Sequence, residues 1–263
     1  MDKVLVQVSE LREMAQKILL ANKVSEKDSQ LITETLLDAE CSGVESHGLM
    51  RLPVYVERLR RGLINPKPKT KLIEKGSVIL VDGDNGPGQV VAAQTMKACI
   101  KGAKQLGICF ASICHSNHFG TASYYTRMAS DAMCIGFAGT TTGRTMAPFG
   151  GMDPLLGTDP LAVSFPIGNG QHFTIDMAMS GCAKGKIRIY EKQGKEIPLG
   201  WALDKSGNDT TNPKAALEGV LLPMAGHKGY GLAIVVEALS ALLSGANLSY
   251  ENDGIFASSS PGN

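Results

Sequence analysis

The chain has 263 residues, 43% hydrophobic and 19% charged, a globular balance that excludes a disordered or collagen-like polymer and allows a sizeable buried core. Lys and Arg total 26 against 25 Asp and Glu, so no basic stripe points to nucleic acid and no acidic tail is left over. The six cysteines form no C-x-x-C pair and follow no secretory signal, which predicts reduced thiols in a cytoplasmic protein.

The first seventy residues predict helices. Leu11, Met14, Ala15, Ile18 and Leu19 recur as one helical face, with Ser9 as the expected N-cap. A second helix starts at Ser25, with Asp28 three residues on, and buries Leu31, Ile32, Leu36 and Ala39 before stopping at Gly43. A third runs from Pro53 through Tyr55, Val56 and Leu59 to Arg60-Arg61-Gly62. Pro66 and Pro68 then force extended chain. They place a boundary near residue 70, between a helical region 1–70 and an α/β region 71–263. In the second region, strands are expected at 78–81, 108–113, 134–138, 161–165 and 173–177. Helices are expected at 89–106, at 121–132 and after Gly229, and 82–88 reads as a loop. This alternation predicts a mixed α/β fold. The apolar run from Leu232 to Leu243, interrupted by Glu237, is too short to span a bilayer and predicts a buried core helix.

Four segments carry chemistry. In Ser46-His47-Gly48-Leu49-Met50-Arg51, one helical turn would put His47 and Arg51 on one face. Arg grips a carboxylate with a fork of N–H groups, and His exchanges a proton near neutrality; on spacing alone, a surface Arg and a capping His are the better explanation. Cys114-His115-Ser116-Asn117-His118-Phe119-Gly120 lies at a strand-to-helix junction, where α/β sheets form sites. Three functions compete there: His118 as acid/base, Cys114 with a histidine as nucleophile, or His115 and His118 with His47 or His227 on zinc. Histidines that merely cap the helix are the plain alternative. Asp176 ends a strand, where it could orient a histidine, bind a ribose hydroxyl or cap a turn. Gly226-His227-Lys228-Gly229 opens the last helix and suits either an anion or close packing. G-x-G-x-x-G and the P-loop are both absent, so a dinucleotide would not be bound by the ordinary Rossmann turn.

Taken in order, Ser46-His47-Gly48 with Arg51, Ser116-Asn117-His118-Phe119-Gly120, Pro148-Phe149-Gly150-Gly151, Gly157-Thr158-Asp159-Pro160, Asp176-Met177-Ala178, Gly185-Lys186, Gly200-Trp201-Ala202 and Lys228-Gly229-Tyr230-Gly231-Leu232 resemble the malate/L-lactate dehydrogenase family. That family is unrelated to the Rossmann lactate dehydrogenases and includes ureidoglycolate, sulfolactate and 2,3-diketogulonate oxidoreductases. The resemblance covers nearly the whole chain. It implies a helical N-terminal region packed on a non-Rossmann α/β domain that binds NAD, with NADP possible. It implies hydride transfer between the nicotinamide and C2 of a small 2-hydroxy or 2-oxo acid, in a homodimer, with no resident metal. His118, with His47 beside it, becomes the catalytic candidate. Arg51, Ser46 and Tyr55 become substrate contacts. Thr142, Asp176, Met177, Ala178, Lys186 and Lys228 become cofactor contacts.

Three departures stand out. Asp159 occupies a position where the family usually has Asn, Met179 replaces a usual Thr, and family members continue through a further C-terminal stretch beyond a point matching the turn-like tail at 258–263. The resemblance thus leaves two expectations, an active oxidoreductase or a shortened non-catalytic relative, with a zinc hydrolase as a third.

Overall fold

The computed structural model describes residues 5–256; the tail at 258–263 lies outside the described residues. Three helices open the chain: α1 (Val8–Ala21), α2 (Glu26–Cys41) and α3 (Leu52–Arg60). The Ser25 hydroxyl caps α2 as expected, accepting the Asp28 amide at 3.2 Å. Ser9 does not cap α1. That helix begins earlier, at Val8, with Gln7 in the cap position and no side-chain cap. Gly43 turns left-handed (φ 75°) and ends α2. Ala15, Leu19, Ile32, Leu36, Leu52 and Tyr55 close one core cluster together with Val90. Full burial of Leu19 and Leu36 contributes about 1.5–3 kcal/mol each.

The first sheet has the order β1–β2–β3, with β1 (Lys71–Lys75) antiparallel to β2 (Val78–Gly86) and β2 parallel to β3 (Phe110–Ser116). Helix α4 (Gly88–Leu106) makes the crossover. The sequence does not announce β1, because three of its five residues are charged, a composition typical of a protected edge. Nor is 82–88 a loop: β2 continues to Gly86, with irregular pairing between Asp82 and Gly86. Asp84 and Asn85 both take φ 51° there. A Cβ on Gly83 would lie 2.6 Å from the His115 carbonyl oxygen, so glycine lets β2 run close against β3. Strand β3 extends past the expected end and carries Cys114, His115 and Ser116 itself.

Helix α5 (Ala122–Asp131) leads to an antiparallel sheet, β4 (Gly136–Gly139), β5 (Leu161–Gly168) and β6 (Gln171–Met177). Besides β1, four further elements are not announced by the sequence: α6 (Lys184–Lys192), β7 (Ala202–Leu203), α7 (Pro213–Glu218) and β8 (Val220–Leu221). Around them Met146, Met179, Ile187, Ile197 and Leu221 form the largest core cluster. The last long helix, α8 (His227–Glu237), continues into a π-helical turn, Ala238–Leu242. It is not the buried core helix that its composition predicts. Ala233, Val236 and Ala241 are buried, but Leu232, Ile234, Val235, Leu242 and Leu243 are between 39% and 69% exposed. Among the described residues no helix is long and apolar enough to cross a membrane. The architecture is mixed α/β, as expected.

Candidate active site

The turn between β3 and α5 is held from several sides. Asn117 Nδ2 donates to the carbonyls of Asn85 (2.9 Å) and Gly86 (3.1 Å), and Arg58 donates to Asn117 Oδ1 at 3.4 Å. A Cβ on Gly88 would overlap the Asn117 carbonyl oxygen, so the first residue of α4 rests on this backbone only as glycine. The Tyr125 hydroxyl donates to the Phe119 carbonyl. His118 projects from this fixed turn.

Its Nδ1 lies 2.7 Å from the Tyr55 hydroxyl and accepts the Gly120 amide at 3.3 Å. An amide that donates to Nδ1 assigns the proton of the neutral ring to Nε2. His47 stacks on the ring at 5.6 Å between centroids. Burial, reinforced by the charges of His47 and Arg51, pushes His118 down to about 3. Burial also raises Tyr55 well above its ordinary value, so the phenol keeps its proton and remains a donor.

The Ser46–Arg51 segment is not one helical turn. Two 3-10 turns, Glu45–His47 and Leu49–Arg51, meet at Gly48, where a Cβ would run into the Glu40 carboxylate. Arg51 Nε donates to the Ser46 carbonyl at 2.6 Å. The Ser46 hydroxyl lies 3.0 Å from His47 Nδ1. The Arg51 guanidinium sits 5.4 Å from the Phe256 ring and makes no ion pair among the described residues. Burial lowers its pKa, Tyr55 opposes that, and the charge of Arg188 lowers it further. His47 is lowered by burial and by Arg51, against the pull of Asp176.

Ser46, His47, Arg51 and His118 line one cavity of about 2370 Å³, well above the ~300–1,000 Å³ usual for a single small ligand. Thr142 and Lys186 line it too. The Thr142 hydroxyl accepts the Thr158 amide at 2.8 Å, and Lys186 Nζ lies 4.9 Å over the Trp201 ring. Asp176, next to last in β6, accepts the Ser123 amide at 2.9 Å; Met177 is exposed and Ala178 half-buried. Lys228 is exposed on the first turn of α8, and neither it nor Asp176, Met177 or Ala178 lines this cavity. Two further lining cations, Lys184 and Arg188 on α6, are not singled out by the sequence motifs; their signal is the alternation Lys184, Lys186, Arg188 after Ala183.

The other two chemistries find no support. Burial and the Asp82 charge raise the Cys114 thiol, the reverse of an activated nucleophile. Its histidine neighbour, His115, faces Asp82 at 3.1 Å. Among the described residues no three His, Cys, Asp or Glu side chains group as metal ligands, so the zinc reading has no ligand set.

The sequence model of the malate/L-lactate dehydrogenase family matches residues 6–262. The L-sulfolactate dehydrogenase of Methanocaldococcus jannaschii is 44% identical over 220 residues, which cover 83% of this chain and 64% of that protein. The malate dehydrogenase of Pyrococcus horikoshii is 41% identical over 242 residues, 89% of this chain and 67% of that one. A dehydrogenase structure from Sinorhizobium meliloti superposes with a TM-score of 0.91 at 36% identity, covering 99% of this chain and 77% of that one. The chain thus spans about two thirds of the length of the curated relatives it matches.

Proposed function

This chain belongs to the malate/L-lactate dehydrogenase family, and from that premise we propose that it transfers a hydride between NAD(H) and C2 of a small 2-hydroxy or 2-oxo acid. One observation carries the reading. His118, wedged between Tyr55 and His47, lines the same cavity as Arg51, a guanidinium with no carboxylate partner among the described residues.

The cavity suits a dinucleotide. Its volume leaves room for cofactor and substrate together, and Lys184, Lys186 and Arg188 line it with positive charge that suits a pyrophosphate. The bound nicotinamide supplies or accepts the hydride. Arg51 takes the C1 carboxylate through its free guanidinium nitrogens, a planar fork that matches two oxygens. His118 presents Nε2 to the C2 oxygen, with Nδ1 held by Tyr55 and Gly120. Reduction consumes the hydride and one proton, and His118 delivers that proton to the oxygen as negative charge develops there. An anion entering beside Arg51 offsets the positive field that, after burial, depresses His118, so the ring takes up a proton at Nδ1 as substrate binds, with the Tyr55 hydroxyl rotating to accept it and Nε2–H left to face the substrate oxygen. Thr142, Asp176, Met177 and Ala178 remain the proposed cofactor contacts, and Lys228 joins them as a phosphate partner once the cofactor reaches the start of α8.

Residues 1–70 would then supply the substrate wall and the α/β region the cofactor wall. The exposed apolar side chains of α8 favour a homodimer, which sedimentation in the presence and absence of NADH tests. Six free cysteines fit a cytoplasmic setting. The decisive assay is a panel of 2-oxo acids with NADH and NADPH, followed by loss of nicotinamide absorbance. The 2-oxo acids corresponding to malate, L-sulfolactate and ureidoglycolate, the compounds that name the relatives, lead it. NADH oxidation with at least one is expected. No oxidation and no NADH binding by fluorescence would favour the non-catalytic relative.

A further inference from the structure

Asp159 is fully buried and takes φ 36°, unusual for a residue with a side chain. Its Oδ1 accepts two donors, the Thr142 amide at 3.1 Å and the Ser249 hydroxyl at 3.1 Å. Its Oδ2 is buried with no hydrogen-bond partner. Ser249, itself fully buried, turns its amide to Glu237 on α8, at 3.2 Å from one carboxylate oxygen and 3.3 Å from the other. Two carboxylates therefore share one buried serine, and the groups that act on Asp159 include Glu237 but no cation. Burial, then the Glu237 charge, pushes the Asp159 carboxyl up to about 7. Two ionised carboxylates in such a site repel; a proton on Asp159 removes that repulsion and the cost of its own buried charge.

The network lies beside the cavity. From Ser249 the chain leads to Phe256, with 252–256 in the cavity lining. A Cβ on Gly143 would sit 3.0 Å from Gly254, so the segment crosses directly over the Thr142 loop. Farther on, the Ile255 carbonyl accepts from Arg58 at 3.5 Å and Phe256 lies on Arg51. One buried serine and one buried aspartate thus tie the loop beside the proposed cofactor contact to the strap beside the proposed carboxylate contact.

We propose that the fully buried Asp159 is held protonated, at Oδ2, and that Asp159 is the positioning residue that fastens the 249–256 strap to the Thr142 loop. The positioning half rests on Thr142 contacting the cofactor; the protonation half does not. The sign of the pH dependence follows from linkage. A carboxyl whose folded value exceeds its unfolded one keeps an extra proton in the folded state, so stability falls as pH rises from about 4 to about 7 and levels off above.

The test uses the full chain and three variants. Thermal unfolding of wild type, Asp159→Asn and Glu237→Gln is followed from pH 5 to pH 8. The melting temperature of Asp159→Asn relative to wild type should climb between pH 5 and 7 and then hold constant, because the neutral amide needs no proton; Glu237→Gln should climb less, because it removes the neighbouring charge but leaves Asp159 buried. A difference for Asp159→Asn that is the same at every pH overturns the buried proton. For positioning, Asp159→Ala, which deletes Oδ1, should raise KM for NADH roughly tenfold, the size of one lost buried hydrogen bond, with kcat within about twofold. Asp159→Asn, which keeps an oxygen acceptor, should restore KM. An unchanged KM in the alanine variant overturns the positioning role. Should that variant fail to fold, a fourth, Ser249→Ala, which removes the hydroxyl that donates to Asp159 Oδ1, decides the point: KM for NADH should rise in the same direction, and an unchanged KM overturns the positioning role. If wild type itself never binds NADH, the cofactor reading fails, while the unfolding series still decides where the proton sits.

Discussion

The two sides of the cavity are built on opposite plans. Around His118 nearly every polar atom is committed: Asn117 to two carbonyls, Nδ1 to Tyr55 and Gly120, Arg51 Nε to the Ser46 carbonyl. Along α6, by contrast, cations face the same space with little holding them; Lys186 stands on Trp201, and neither Lys184 nor Arg188 forms an ion pair among the described residues. The first arrangement fixes a few reacting atoms to fractions of an ångström, as proton transfer requires. The second offers diffuse positive charge, which holds a flexible polyanion without demanding one geometry. Substitutions should therefore act sharply on the first side and gradually on the second.

The largest effect belongs to His118. His118→Ala removes the only group of the turn that presents a titratable nitrogen to the cavity, and turnover should drop roughly 10²–10⁴-fold, the range for a lost general acid. NADH affinity, measured by fluorescence, should stay near wild type. Near-normal turnover would move the proton role to His47, which stacks on the ring.

Arg51→Lys comes next. An ammonium cannot reproduce two parallel N–H···O bonds, and the lost bonds to a charged group correspond to a rise in KM for the 2-oxo acid of about tenfold or more. Arg51 also donates to the Ser46 carbonyl, so a circular dichroism melt should accompany the kinetics. An unchanged KM would leave Arg51 as a brace for the two 3-10 turns and send the carboxylate to Arg188.

Acid should loosen the rigid side first. His118 is held down to about 3, chiefly by burial, against an unfolded value near 6.5. The unfolded chain thus binds the extra proton, and this contribution to stability, complete above about pH 6.5, is lost as pH falls toward 3. A neutral replacement, His118→Gln, should flatten the acid limb of the stability curve. Asp159 has the opposite sign over an overlapping window, so the comparison of each variant with wild type, rather than the wild-type curve alone, separates the two. Proton uptake from a weakly buffered solution on binding a non-reacting 2-oxo acid analogue measures the same ring from the functional side.

Legibility in the sequence follows the same division. The helices with a single clean apolar face, α1 to α3, were readable because Leu19, Ile32 and Leu36 recur at the helical period. Strand β1 and helix α6 were not, because charged residues fill them and their burial comes from partners remote in the chain. The α8 run misled for the converse reason: its composition is apolar all round, yet only Ala233, Val236 and Ala241 on it find a core. At the site, His47, Arg51 and His118 were visible as chemistry. Tyr55 as the partner of His118 is not derivable from spacing, since the two are 63 positions apart, one on α3 and the other in the turn between β3 and α5. The Asp159–Ser249–Glu237 bridge joins three remote segments and leaves no local pattern at all.

The smallest effect should come from α6, and it is the one that sharpens the contrast most. Lys186→Gln removes one cation but leaves Lys184 and Arg188 lining the same space. An exposed charge of this kind is worth about 0.2–1 kcal/mol, so KM for NADH should rise only about 1.5- to 5-fold, with kcat unchanged. The increment should shrink as salt is raised from 0.05 to 0.5 M, since screening there shortens the reach of exposed charge to roughly 4 Å. Lys186→Arg, which keeps both the charge and the stacking on Trp201, should sit at wild type. The double change with Arg188→Gln should be close to additive if α6 acts as diffuse charge. A loss far beyond the sum, insensitive to salt, would mean that Lys186 and Arg188 grip one phosphate together, and the two sides of the cavity would then be built on the same plan after all.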